Sequence, residues 1–140
     1  MTGYILEQSI KDLHDIIKNW VSGKVEKTTT ELSRFAELLT PDFTIISPSG
    51  TLANLDTILR EIEDAYAKLP GLVIEIENFN LIATNANLAV ASYEEFQQWP
   101  GGANRRHSTA LFVSQTNSER DYLWRHIHET WLETATTEES

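Results

Sequence analysis

The stretch Arg105–Leu132, RRHSTALFVSQTNSERDYLWRHIHETWL, limits what this chain can fold into more than any other. It reads as two long antiparallel strands joined by the polar turn QTNSERD. Arg105, His107, Thr109, Leu111 and Val113 alternate with Arg106, Ser108, Ala110, Phe112 and Ser114 on the first strand. On the second, Tyr122, Trp124, His126, His128 and Thr130 alternate with Leu123, Arg125, Ile127, Glu129 and Trp131. Both sets carry large apolar or aromatic groups, whereas a sheet with one solvated face would be polar on that face. One face therefore calls for helices, and the other for a partner. A symmetric homodimer packed sheet against sheet supplies that partner.

The preceding chain supplies the helices. From Tyr4 to Val21 apolar residues recur at three- and four-residue steps, the stripe of an amphipathic helix, and Gly23 ends it. A second helix is expected after Thr30 as cap, with Pro41 closing it. Phe43–Ser47 reads as a strand, and Leu52–Leu69 as a third helix stopped by Pro70–Gly71. Leu72–Ala83 and Leu88–Trp99 read as further strands, with turns at Asn85–Asn87 and Pro100–Gly102. The order α-α-β-α-β-β-β-β gives an α+β domain: three N-terminal helices on a curved, mainly antiparallel sheet. No linker or repeat divides the chain, so residues 1–140 read as one domain, with 134–140 a frayed tail.

Composition excludes several functions. The net charge of −10 repels phosphate backbones, and Arg105–Arg106 is too small a patch to bind nucleic acid against it. No apolar run reaches the roughly 20 residues of a membrane helix, and the N-terminus does not read as a signal peptide. The absence of cysteine removes thiolate nucleophiles, disulfides and cysteine–zinc sites, and a cytoplasmic location is the default. Serine nucleophile elbows, phosphate-cradling loops and dinucleotide fingerprints are missing.

The order of elements, with WVSGK, LLTPDFTIISPSG, RRHSTALFV and HIHET, resembles the nuclear-transport-factor-two-like, or SnoaL-like, superfamily. The resemblance covers nearly the whole chain. It implies a cystatin-like, cone-shaped α+β barrel with a small-molecule cavity between the concave sheet face and the helices. Members range from isomerases, cyclases and dehydratases to a kinase association domain, so the resemblance implies a pocket and leaves the activity open. The ketosteroid isomerase constellation has no matching positions in this sequence, and that activity is not carried over.

By the same resemblance the last strand turns Leu123, Arg125, Ile127, Glu129 and Trp131 to the cavity, and its neighbour turns Arg106, Ser108, Ala110 and Phe112 there. The strand before contributes Val90, Ser92, Glu94 and Phe96, or Tyr93 and Glu95 after a one-residue slip. Trp20 and Tyr66 are candidate walls. Glu94, Arg106, Arg125 and Glu129 would then form a mixed-charge cluster. It is either an ion-pair network without chemistry or a site in which Glu94 or Glu129 is a general base and Arg106 an anion holder. His126 and His128 share one face, with His107 across from them. No further ligand stands at metal-binding spacing, and the pair is expected to face away from the cavity, in the sheet contact. His14 reads as an ordinary helix boundary residue, and Asp42 as a turn former.

The reading is a small-molecule-binding protein that performs, if any reaction, a cofactor-free proton transfer such as isomerisation, cyclisation or dehydration. The alternative is a non-catalytic dimerisation or protein-binding module.

Overall fold

The computed structural model describes residues 2–115 and 122–132. Most of the turn QTNSERD and the tail 134–140 lie outside those residues. Helix α1 spans Thr2–Val21 and buries Leu6, Ile10, Leu13, His14, Trp20 and Val21, the stripe expected from their spacing. It ends at Gly23, whose φ of +80° is a left-handed conformation that glycine adopts without penalty. Helix α2, Thr29–Ala36, is capped two residues earlier than the sequence suggests. Thr28, not Thr30, accepts the Glu31 amide at 3.1 Å.

Strand β1 runs from Leu39 to Ile46, so Pro41 lies within a strand and does not close the helix. The helix stops at Ala36 because the chain turns back onto the sheet, where the Trp124 amide donates to the Leu38 carbonyl at 2.9 Å. A short β2, Leu52–Asn54, takes the first residues of the expected third helix. Helix α3 is Leu55–Asp64, begun by Asn54, whose side chain accepts the Thr57 amide. Strands β3 (Val73–Thr84), β4 (Leu88–Trp99), β5 (Gly102–Ser114) and β6 (Tyr122–Leu132) follow.

The six strands form one sheet in the order β2-β1-β6-β5-β4-β3. Every pairing is antiparallel except β1 against β6, which places β1 along the edge of the C-terminal hairpin away from β4. Register shifts interrupt β3/β4, β5/β6 and β1/β6, and such bulges bend a sheet and increase its twist. The helices close the concave side, giving an α+β cone.

The bulge in β6 decides which residues face inward. Leu111 pairs with His126 but Phe112 pairs with Trp124, so Arg125 is the extra residue. Alternation therefore restarts there: Trp124 points into the core and Ile127 and Glu129 follow on the same side. Trp124 is 1% exposed and packs on Phe112 at 4.6 Å between ring centroids. Around it lie Leu6, Ile10, Leu13, Phe35, Leu39, Phe43 and Tyr93. Trp20, Val21 and Leu72 form a second cluster with Tyr66 and Trp99.

Candidate functional site

Above the main core lies a cavity of about 490 Å³, within the range of small-molecule sites. Helix α1 contributes Leu13, His14 and Ile17; α2 contributes Phe35; β1 and the turn after it contribute Leu39, Phe43, Ile45, Ser47 and Pro48. Helix α3 closes it with Ile58, Glu61 and Ile62, and the sheet supplies Glu95, Gln97, Arg106, Ile127 and Glu129.

The polar floor is built from two ion pairs, one between α1 and β4 and the other between β5 and β6. His14 lies on the buried stripe of α1, and its Nε2 meets Glu95 Oε1 of β4 at 3.1 Å. Its Nδ1 meets the Ile10 carbonyl oxygen at 2.7 Å. A carbonyl can only accept, so Nδ1 carries a proton, and Nε2 donates to the carboxylate as well. The ring is therefore an imidazolium beside an ionised Glu95. Burial opposes the His14 cation, but the charge and hydrogen bond of Glu95, with the Ile10 carbonyl, raise its pKa. Burial would likewise raise Glu95, yet His14, Arg106 and Gln97 outweigh it and bring the carboxyl to about 2. Gln97 donates to the other oxygen of Glu95.

The second pair joins Arg106 on β5 to Glu129 on β6 at 3.3 Å, and Arg106 also donates to Asn104 at 3.3 Å. Burial and the nearby Glu95 keep the Glu129 pKa raised despite Arg106. The Arg106 guanidinium also lies 4.8 Å from the centroid of the Trp131 ring, a cation–π contact at the rim. Arg106 Nε, the Tyr93 hydroxyl and the Ser108 hydroxyl are buried with no hydrogen-bond partner among the described residues. Tyr93 and Ser108 are cross-strand neighbours, as are Ser108 and Glu129.

Of the residues singled out from the sequence, Arg106 and Glu129 meet in the cavity. Ser108 and Phe112 face the same way but lie beneath the floor, each with no exposure. Glu94 does not reach the cavity. Strand β4 takes the alternative register, with Ala89, Ala91, Tyr93, Glu95 and Gln97 inward, and Glu94 lies outside with Arg105 at 3.3 Å. Ser92 falls on the same outer side, opposite Thr109 and Asn80. Arg125, displaced by the bulge, pairs with Asp42 at 3.2 Å, and that contact gives Asp42 a partner beyond a turn role. Trp20 donates to the Ile62 carbonyl at 2.6 Å and Tyr66 to the Val25 carbonyl at 2.7 Å. Those bonds hold both aromatics in the second cluster, away from the cavity. Trp131 stands at the rim, half exposed.

His14 is not the ordinary helix boundary residue that the sequence suggests but a buried member of the floor. Its place between Ile10 and Ile17 was the available signal, because a histidine on a fully buried stripe needs a polar partner. The other histidines stay off the cavity: His126 bonds Thr44 at 2.7 Å and His128 is exposed.

The arrangement is that of the NTF2-like fold, a cystatin-like α+β cone. An NTF2-like protein of unknown function from Pseudomonas aeruginosa superposes with a TM-score of 0.86 at 25% identity, over 92% of this chain and 99% of that one. The association domain of the C. elegans CaMKII superposes at 0.66 and 14% identity, over 92% and 98%, which shows the fold alone. Residues 10–133 match the family described as sucrose-6-phosphate phosphohydrolase C-terminal, and the chain belongs to that family. A probable sucrose-phosphatase 3a of Arabidopsis thaliana is 22% identical over 94% of this chain and 33% of the relative. Sucrose-phosphatase 1 of Nicotiana tabacum is 22% identical over 100% and 34%. The chain thus spans about a third of the curated relatives it matches.

Proposed function

We propose that the cone is a binding site for a small organic molecule, held between the ion-paired floor and the apolar wall of Ile17, Phe35, Phe43, Ile45, Ile58 and Ile62. The observation that carries this reading is the hollow itself. A cavity of about 490 Å³ stays open over the buried pairs His14–Glu95 and Arg106–Glu129. A domain built only to present an outer surface has no need of such a floor, since buried ion pairs seldom add stability over apolar packing. The names of the relatives make sugars and sugar phosphates the first ligands to try.

The same floor suits a cofactor-free proton transfer. Glu129, with its raised pKa, exchanges a proton closer to neutrality than an ordinary carboxyl, and Arg106 steadies charge developing beside it. A cytoplasmic location goes with this reading. Screening a ligand library by thermal shift and then measuring Glu129→Gln and Arg106→Ala tests it. Loss of binding in either variant supports the assignment; intact binding in both removes it.

A second reading concerns the outer sheet face. Leu88, Val90, Leu111, Val113 and Leu123 are register neighbours there, forming a continuous apolar strip. A second copy of this chain, packed face to face, would cover it. Sedimentation of the wild type against Leu111→Lys separates the outcomes: a dimer that the lysine dissociates, or a monomer throughout.

A further inference from the structure

We infer that the cavity takes an uncharged, hydroxyl-bearing molecule, a sugar or similar polyol, and turns away the same molecule when it carries a phosphate. This rests on the reading of the cone as a ligand site and adds the charge and functional groups of its occupant.

The lining holds three carboxylates, Glu61, Glu95 and Glu129, against two cations, His14 and Arg106. Both cations are already engaged, His14 by Glu95 and Arg106 by Glu129. Even with Glu129 protonated the described lining has no net positive charge, and no lysine is among the described residues that line the cavity. A phosphate dianion could gain a cation only by breaking a buried pair and stranding its carboxylate. The N-terminus of α3, beside the mouth at Ala53 and Ile58, offers no substitute. Asn54 caps it and Asp56 already occupies its first turn. The net charge of −10 adds long-range repulsion.

A hydroxyl meets none of these obstacles, because it donates and accepts without changing the charge. It can donate to Glu129 while accepting from Gln97 or Arg106. Arg106 Nε adds a hydrogen-bond donor at the floor that has no partner among the described residues. Ser47 and Thr51 continue the polar strip to the mouth. The aliphatic wall opposite suits the C–H face of a ring.

The test is calorimetry on the full chain at low ionic strength. Its probes are sucrose, glucose, their 6-phosphates, inorganic phosphate and a panel of uncharged apolar ketones. The expected result is saturable binding of an uncharged sugar, with its phosphate at least about tenfold weaker, a difference of about 1.4 kcal/mol. Glu61→Gln, an exposed change that leaves the floor intact, should narrow that gap. A sugar phosphate binding as tightly as its parent overturns the inference. Binding of ketones alone, abolished by Glu129→Gln, also overturns it while leaving the ligand site standing. No binding of any probe or library compound would remove both.

Discussion

His14 Nε2 and Glu95 Oε1 lie 3.1 Å apart, both side chains almost wholly buried, and the second nitrogen of the ring faces the Ile10 carbonyl at 2.7 Å. With acceptors at both nitrogens the imidazole is favoured as a cation, and its charge is held in the core because Glu95 answers it. Removing one partner strands the other. Glu95→Leu and His14→Leu should each cost about 3–5 kcal/mol in chemical denaturation. The double variant, which removes both charges, should recover a large part of that loss. Additive losses would contradict the pairing.

The same pair gives stability a pH profile. Glu95 titrates at about 2 in the fold against an ordinary 4.5, so its contribution is complete above 4.5 and disappears as pH falls toward 2. His14 is raised above its ordinary 6.5, so its contribution is complete below 6.5 and is lost as pH climbs through the raised value. Glu129, also raised, works against stability as pH rises above 4.5. Denaturation across pH should place the maximum between about pH 4.5 and 6.5, and the double leucine variant should flatten both flanks. A profile unchanged in that variant would assign the titration elsewhere.

Adjacent glutamates on β4 report its register. Glu94 pairs with Arg105 on the partly solvated outer face, so Glu94→Gln should change stability by less than about 1 kcal/mol. Glu95→Gln should cost several-fold more and alter ligand binding. Equal effects would mean that the two residues do not lie on opposite faces.

The β6 bulge makes a similar contrast. Trp124→Ala empties the centre of the core and should cost about 3–5 kcal/mol. Leu123→Ala, on the outer strip, should cost clearly less in the monomer. Thermal unfolding of the two variants decides it.

The histidines outside the cavity offer a test of the proposed dimer. Burial and the neighbouring His128 lower the His126 pKa, so it gains charge only below its ordinary range. A dimer packed through that face should weaken as pH falls into the range where His126 charges. Sedimentation at a series of pH values measures this, and a mass constant across the titration of His126 would take that residue out of the interface.

The architecture was legible because alternation and helical spacing are repeated along whole elements, as in α1 and β5, where many residues agree. What was not legible depended on single residues. One extra position at Arg125 exchanged Trp124 for Arg125 at the core, and period-two reading cannot locate such a bulge. On β4 both faces are amphipathic, and Tyr93–Glu95 and Ser92–Glu94 are equally plausible inward sets until the neighbours are placed. His14 and Glu95 are 81 residues apart, and no local pattern announces that they meet. Trp20 and Tyr66 were expected on the cavity wall as large aromatics near it. Their polar atoms instead find the backbone carbonyls of Ile62 in α3 and of Val25 just past α1.

The most direct test is the NMR signal of the Arg106 Nε–H group, which has no partner among the described residues, followed while an uncharged sugar is added. Occupation of the floor predicts that this signal and the Gln97 side-chain amide shift together and saturate, while Arg105 on the outer face stays still. Shifts confined to Arg105 and its strip, or none at Arg106 at any sugar concentration, would contradict a ligand site in the cone.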